Sequence, residues 1–489
     1  MKSHRFLYCR RPDPLSGAYA SAWPGMLRLP LIILLLAWSL CVSSLQAQTP
    51  DQAAIPDTLI PETPIPEYPT LLADDYPVPT DMSAVHFYLI TVDVGNNVYD
   101  NFGHTALRVI DQNSNTDLVF NWGVFDVSGG AVSFSYNFFK GIMRYRLATS
   151  TPANEFAIYR DQQRSVWQDK VNLTNPEKEI LYRRLLWNLE EENRQYDYHY
   201  FFDNCTTRVR DYLDEATGGR IAQHFDGETT DTFRDQVKAH YSSLSLISLS
   251  LDVLMNSNID RRVTQWEAMY LPLELRRSLA EVSSDVAVNG VRQPLLSDYQ
   301  VIMDFPPPMQ QTDGYQVASV VLLGPALLLL ILLKRIPQSY FATHSRVGLK
   351  MAPLSFRLLG LMGLLTALFS GIYGILMLGS WFVSDHLDLH HNMNLLLFWP
   401  TDILGVLVAL RWLLFCRPWP LTHNTGPFIN YYILAHVVAM LVYAVVAFAD
   451  MSAQSIADIA LYVLPGFFLF TVLMWIVGFE PAKPKNMFF

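Results

Sequence analysis

Residues 200–213 read YFFDNCTTRVRDYL. Asn204 opens a predicted helix that ends at the glycine pair Gly218-Gly219, which places Cys205 in its first turn. The chain has four cysteines, and the others are Cys9, Cys41 and Cys416. Cys9 and Cys41 fall in an apparent presequence. Cys416 falls on the side of the membrane opposite to Cys205 in the topology argued below. Exported cysteines ordinarily pair into disulfides, and Cys205 has no partner in its own domain. A lone thiol there is either a small buried hydrophobe or a nucleophile. Its position favours the nucleophile. Peptide dipoles and free N–H groups at a helix start stabilise a thiolate, and they also suit a developing oxyanion. The flank Asp203, Asn204, Thr206, Thr207, Arg208 is polar, which does not suit an inert core cysteine.

The rest of the 489-residue chain divides by composition. It is 51% hydrophobic and 16% charged, the average expected of a soluble part joined to a membrane part. A net charge of −10 argues against wholesale nucleic-acid binding. There is no glycine-rich phosphate loop, zinc-finger spacing or internal repeat. Residues 1–47 resemble a signal sequence. Arg10, Arg11 and Arg28 precede LPLIILLLAWSL, and SSLQA follows, with cleavage expected after Ala47. An uncleaved anchor and a start at Met26 remain open. Residues 48–81 form a Pro-rich linker around IPDTLIPETPIPEYPT, too poor in apolar side chains to bury much.

Residues 82–304 have the pattern of an α+β domain. AVHFYLITVDVG, HTALRVID and DLVFNWG are β-branched and aromatic runs separated by turn residues. Thr174 caps a helix with Pro176 in its first turn, and residues 231–279 are expected to be mostly helical. Residues 305–489 form an all-α membrane domain. Five apolar runs, at 316–333, 357–380, 395–415, 428–449 and 455–478, each approach the roughly 20 residues that cross a bilayer. Lys334, Arg335, Arg346, Lys350 and Arg357 follow or flank the first run. Arg411 and Arg417 lie at the end of the third, and Lys483 and Lys485 are in the tail. The loops SDHLDLHHNMN and ADMSAQS carry no Lys or Arg. Positive residues collect on the cytoplasmic side, so the α+β domain faces the periplasm and the chain is expected in the inner membrane as a multi-pass protein.

A thiol nucleophile requires a base and an orienting group. His104, in NFGHTALRV, starts a strand after a glycine turn. His199 is nearer in sequence, but the alternation of YDYHYFF points it elsewhere. Asn121, in the next strand, is placed to sit beside His104 across the ladder, with Asp117 as the other candidate.

These residues resemble a known family. FGHTALRV, FNWG, YHYFFDNCTTRVRDYL and TFR at 232–234, followed by five apolar runs, are similar to the Lnb family of bacterial lipoprotein N-acyltransferases. The resemblance covers roughly 84–478. It implies a permuted papain-like periplasmic thiol domain, with the histidine strand before the cysteine helix, and a five-helix membrane domain. It implies Cys205 as nucleophile, His104 as base and, by strand order, Asn121 as third member. It also implies a phospholipid acyl donor, a lipoprotein acceptor and no cofactor. An envelope amidase or peptidase with the same Cys–His pair remains the alternative.

Several polar residues are candidates for substrate contact: Asn204 and Arg208 beside the thiol, Arg144 in GIMRYRL, and His386, His390 and His391 in the outward loop. His386 and His390 stand at a spacing that metal sites use. A phospholipid phosphate, or a plain polar loop, accounts for them as well, and no metal is assigned. The aromatics of FSYNFFKG are expected to line an acyl groove or to be ordinary core.

Overall fold

The computed structural model describes residues 69, 71, 76–125, 130–335, 343–344, 350–351, 353–420 and 426–480. The expected signal sequence, most of the expected linker, and Arg346, Lys483 and Lys485 lie outside the described residues.

The β-branched runs after residue 84 form a meander of strands, β1 (Val85–Val92), β2 (His104–Asp111), β3 (Thr116–Phe125) and β4 (Arg144–Ser150). With β5 (Val166–Val171), β6 (Gln195–Asp197) and β7 (Leu296–Met303) they make one sheet in the order β7-β5-β1-β2-β3-β4-β6. The paired neighbours are antiparallel. Alternation puts Val85, Phe87 and Leu89 of β1 on one face. There they meet Val209, Tyr212 and Leu213 in the main core.

Between the strands run the helices α1 (Gly130–Lys140), α2 (Pro152–Asp161), α3 (Asn175–Leu189) and α4 (Cys205–Ala216). Thr174 caps α3 in a capping box with Glu177. The buried α4 ends before Gly218 and Gly219, both at positive φ.

The expected helical stretch 231–279 resolves into short pieces: α5 (Phe233–His240), α6 (Ser245–Leu254) and α7 (Pro272–Glu281), with 3-10 turns and a brief strand between them. The apolar face of α6 turns toward the membrane helices. Leu249 and Val253 share a core with Tyr315 and Leu322.

The membrane part consists of α8 (Gly314–Arg335), α9 (Pro353–Val383), α10 (Gly405–Phe415), α11 (Gly426–Phe448), α12 (Ala457–Tyr462) and α13 (Leu464–Val477). Among the described residues, three helices are long and apolar enough to cross a bilayer. A fourth span exists if the pair Leu387–Leu396 and Pro400–Phe415, bent by 65°, counts as one. Two expected spans are thus broken rather than continuous, and proline is the cause. Pro400 and Pro465 lack the N–H a continuing helix needs. The chain between α9 and α10 runs instead through the 3-10 turns Met393–Leu396 and Pro400–Leu404. Backbone groups freed inside a bilayer must find partners. Asp402 supplies one by capping the second turn. Small residues let these pieces close on α9: a Cβ on Gly371 would stand 2.6 Å from the Ile403 nitrogen.

Polar bonds join the soluble and membrane parts. Asn256 Nδ2 donates to the carbonyls of Leu387 (2.8 Å) and His390 (2.6 Å), and Asn392 Nδ2 to those of Val253 (3.0 Å) and Leu254 (2.8 Å). Arg234, from the TFR motif, is buried between Asp252 (2.5 Å) and Asp260 (2.6 Å). Asp252 also accepts the hydroxyl of Tyr315 at the start of α8. Gly141 sits at φ +84° with Asp385, just beyond α9, 3.1 Å from where its Cβ would be, so neither its backbone nor its contact admits a side chain.

Candidate active site

The first turn of α4 is built by Asn204. Its extended backbone (φ −130°, ψ −178°) precedes the helix, and its Oδ1 accepts the N–H groups of Thr206 (2.8 Å) and Thr207 (2.9 Å). The Thr207 hydroxyl accepts the Asn204 N–H in return (2.8 Å). Asn204 Nδ2 donates to the carbonyls of Tyr200 (3.0 Å) and Tyr270 (3.3 Å). Both ends of the Asn204 amide thus bond within the fold. This narrows the expected oxyanion cradle. Two of the first three N–H groups are taken, whereas no hydrogen bond from the Cys205 N–H occurs among the described residues.

The thiol of Cys205 faces β2. The charge and polar contacts of His104 and the Thr105 N–H bear on its sulfur, and the Thr206 hydroxyl lies 3.8 Å away. His104 Nε2 is 3.0 Å from Asn121 Oδ1, so Nε2–H donates to the amide and Nδ1 is left for the sulfur. The same Oδ1 accepts the Gly123 N–H at 2.7 Å.

Register explains the placement. Leu107 pairs with Phe120, and carrying that register outward sets His104 opposite Gly123. Gly123 has no side chain, so the imidazole lies over it and reaches Asn121. A Cβ there would come within 2.6 Å of His104 Cε1.

The electrostatics follow from this contact. Burial pushes the Cys205 thiol up, but the His104 charge and hydrogen bond, the Thr105 N–H and the Thr206 hydroxyl lower it from 9.0 to about 7. Burial pulls His104 down, and the facing thiolate outweighs that, so the net shift is upward. Each charged form stabilises the other. Such a pair offers a nucleophilic sulfur beside a proton donor.

Behind Asn121 lies a group that the sequence did not reveal. Asn121 Nδ2 donates to Glu155 Oε1. The same oxygen accepts the Tyr159 hydroxyl (2.7 Å), and Oε2 accepts Ser150 Oγ (2.6 Å). Glu155 is buried in the first turn of α2. In sequence it looks like an ordinary first-turn acid complementing the helix dipole. Only the packing of α2 against β3 turns it toward the amide.

The other candidates are dispersed. Asp117 is held by Arg108 (2.6 Å) at the far end of β3 and does not reach His104. His199 accepts the Phe201 N–H (3.2 Å), and burial lowers it to about 4, leaving the ring neutral. Arg208 is buried, clamps Asp203 through two bonds (2.5 and 2.6 Å) and lies 4.3 Å over the Tyr196 ring, which makes it a brace for the turn. Arg144 is exposed on β4, 3.9 Å from Asp197.

His386 Nε2–H donates to the Phe138 carbonyl and His390 Nε2–H to that of Ser384, both at 2.9 Å. His391 lies against Trp381, with ring centroids 4.8 Å apart. These three histidines serve a structured loop rather than one converging centre. No group of three His, Cys, Asp or Glu fit to hold a metal occurs among the described residues. Phe138, expected in a groove or core, wedges between Tyr200 (6.2 Å) and His386 (5.8 Å) and packs on both soluble cores.

The hairpin leading into α4 rests on this loop. The Tyr200 hydroxyl donates to Asp388 Oδ2 at 2.7 Å. Cys205 follows five residues later, so the thiol is anchored near the outer end of α9.

Residues 75–239 match the family model described as the Lnb N-terminal periplasmic domain. No curated protein and no solved structure matches the chain. The chain is therefore a membrane protein whose periplasmic domain, residues 75–239, belongs to the Lnb family.

Proposed function

We propose that this protein is a lipoprotein N-acyltransferase working through a Cys205 thioester. The thiolate attacks an ester carbonyl of a membrane phospholipid. A carbon–sulfur bond forms, the carbon–oxygen bond to glycerol breaks, and His104 gives its proton to the departing oxygen. The Cys205 N–H faces the oxyanion. The lysophospholipid leaves. The α-amine of a lipoprotein's lipidated N-terminal cysteine then attacks the thioester. A carbon–nitrogen bond forms, sulfur departs as thiolate, and His104 takes the amine's proton. An α-amine with a pKa of about 8 is partly neutral at pH 7 and so competent to attack. Asn121 holds the imidazole in the required tautomer, as in other Cys-His-Asn sites. No cofactor enters.

The observation that carries this reading is the Cys205–His104–Asn121 chain on a hairpin bonded to the outer end of a membrane helix, which suits substrates that both reside in the bilayer. We place the domain on the periplasmic face of the inner membrane. We count five crossings: α8, α9, the bent pair ending in α10, α11, and α12 with α13. The permuted papain-like order, His104 strand before Cys205 helix, belongs to the same reading.

The test is mass spectrometry of a lipoprotein N-terminal peptide from cells with and without the protein. The expected result is one additional acyl chain on the N-terminal cysteine with wild type and none with Cys205→Ser. An unchanged mass with wild type refutes the transferase. Release of cell-wall stem peptides by the purified protein would support the amidase alternative instead.

A further inference from the structure

A second site lies inside the membrane part. α9, the turn Pro400–Leu404, α11 and α13 enclose a cavity of about 290 Å³, near the lower end of ligand pockets. Its walls are mostly apolar and aromatic, with Trp412, Phe467 and Phe470 among them. Into this lining project Ser370, Asp402, Tyr432 and His436. Asp402 accepts the Ser370 hydroxyl at Oδ2 and the Tyr432 hydroxyl at Oδ1 (2.5 Å).

His436 is the unexplained member. It stands midway along α11, which runs Gly426–Phe448, and is only 8% exposed. Its ring lies on Trp399 with centroids 3.9 Å apart. Nε2 is 2.9 Å from Asp402 Oδ1, but the ring N–H is not aimed at that oxygen, and the buried nitrogen makes no hydrogen bond. Packing on Trp399 and Tyr432 and the 2.9 Å approach to Asp402 hold the ring in place, but they leave its Nε2–H without a hydrogen bond. Ionisable side chains at this depth are costly and mark ligand or ion paths.

The mouth identifies what enters. Leu404 and Phe428, which line it, are 66% and 69% exposed, and Leu407 and Leu434 continue the apolar surface around them. That surface faces hydrocarbon, so the ligand arrives dissolved in the bilayer. At mid-depth it carries no charge. The Thr401 hydroxyl donates to Tyr432 at 2.8 Å, since the Tyr432 proton goes to Asp402, which leaves the His436 ring N–H as the group that can bind a carbonyl oxygen.

We propose that this cavity binds the carbonyl of a neutral, membrane-dissolved lipid, with His436 as the principal donor. Two sources share that chemistry, an isoprenoid quinone and an uncharged acyl ester. None of the residues that contact Cys205 lines the cavity, so the site stands apart from the thiol centre.

The test uses the full chain in lipid nanodiscs and follows tryptophan fluorescence, because Trp399 and Trp412 border the site. Two quenchers are titrated separately, a short-chain naphthoquinone and a diacylglycerol with brominated chains. The expected result is saturable quenching by at least one probe. It should weaken about tenfold in His436→Leu, the loss of one buried hydrogen bond. It should shrink in Trp399→Phe. Saturation by the naphthoquinone alone assigns a quinone, and by the brominated lipid alone an acyl ester. If His436→Leu does not fold, His436→Phe, which keeps an aromatic ring on Trp399 without the N–H, replaces it. Quenching that never saturates, or that is equal in wild type and the His436 variant, overturns the proposal.

Discussion

Burial raises the Cys205 thiol, and the His104 imidazole, the Thr105 N–H and the Thr206 hydroxyl bring it back down to about 7. That balance can be titrated. Alkylation of Cys205 by iodoacetamide should rise with pH through a midpoint near 7. In His104→Ala the cationic neighbour is gone while much of the burial stays, so the midpoint should climb toward or beyond the ordinary 9.0. A midpoint that does not move would show the two side chains to be uncoupled. Gly123→Ala tests the register. The new methyl would meet His104 Cε1, and tilting the ring away from Asn121 should lower kcat at least about tenfold while circular dichroism is unchanged. Glu155 is a positioning residue in this arrangement. Glu155→Gln places an amide N–H₂ where Asn121 Nδ2 now donates, so the expected effect is a lower kcat, an unchanged KM and a raised thiol midpoint.

At the scale of elements, α4 and β2 illustrate how far local rules reach. The polar turn before Cys205 and the glycine pair after the helix were readable because capping is local. His104 at a strand start was readable from its glycine turn, and Asn121 from strand order. Glu155 was not, because nothing within α2 says which way its first turn will face. The fate of Asn204 was equally hidden. Its identity as a cap was legible, but its bond to the Tyr270 carbonyl joins segments 66 residues apart. Asn204→Ala should therefore cost more than a surface cap, on the order of 2 kcal/mol or above, read as a loss of thermal stability. A cost below about 0.5 kcal/mol would mean the cap contributes little. The broken spans teach the same lesson. Hydropathy averages over Pro400 and Pro465, whereas backbone hydrogen bonding does not.

In the whole molecule, the soluble part and the membrane helices are built as one object. Arg234 is its charged knot, and its two carboxylate partners, Asp252 and Asp260, share a nearly dry environment. Arg234→Leu leaves both without their main counter-charge. The expected cost is roughly 3–5 kcal/mol, seen as a lowered unfolding temperature of the detergent-solubilised protein. No change would mean that Lys238, 3.8 Å from Asp252, suffices. Residues 76–310 expressed alone should aggregate, because the apolar face of α6 would lose Tyr315 and Leu322. A monodisperse soluble fragment would contradict that.

Composition and period, being sums over neighbours along the chain, determined that an α+β domain precedes a set of apolar helices, and that a single thiol in the first turn of one helix was the residue to examine. Tertiary structure alone decided that His104 lies beside that sulfur, that Glu155 stands behind Asn121, and that His436 lies buried 2.9 Å from Asp402. Those facts depend on groups far apart in sequence arriving within a few ångströms of each other. Hydrogen bonds and charge pairs act only over such distances, so the linear order of residues does not contain them until the chain has packed.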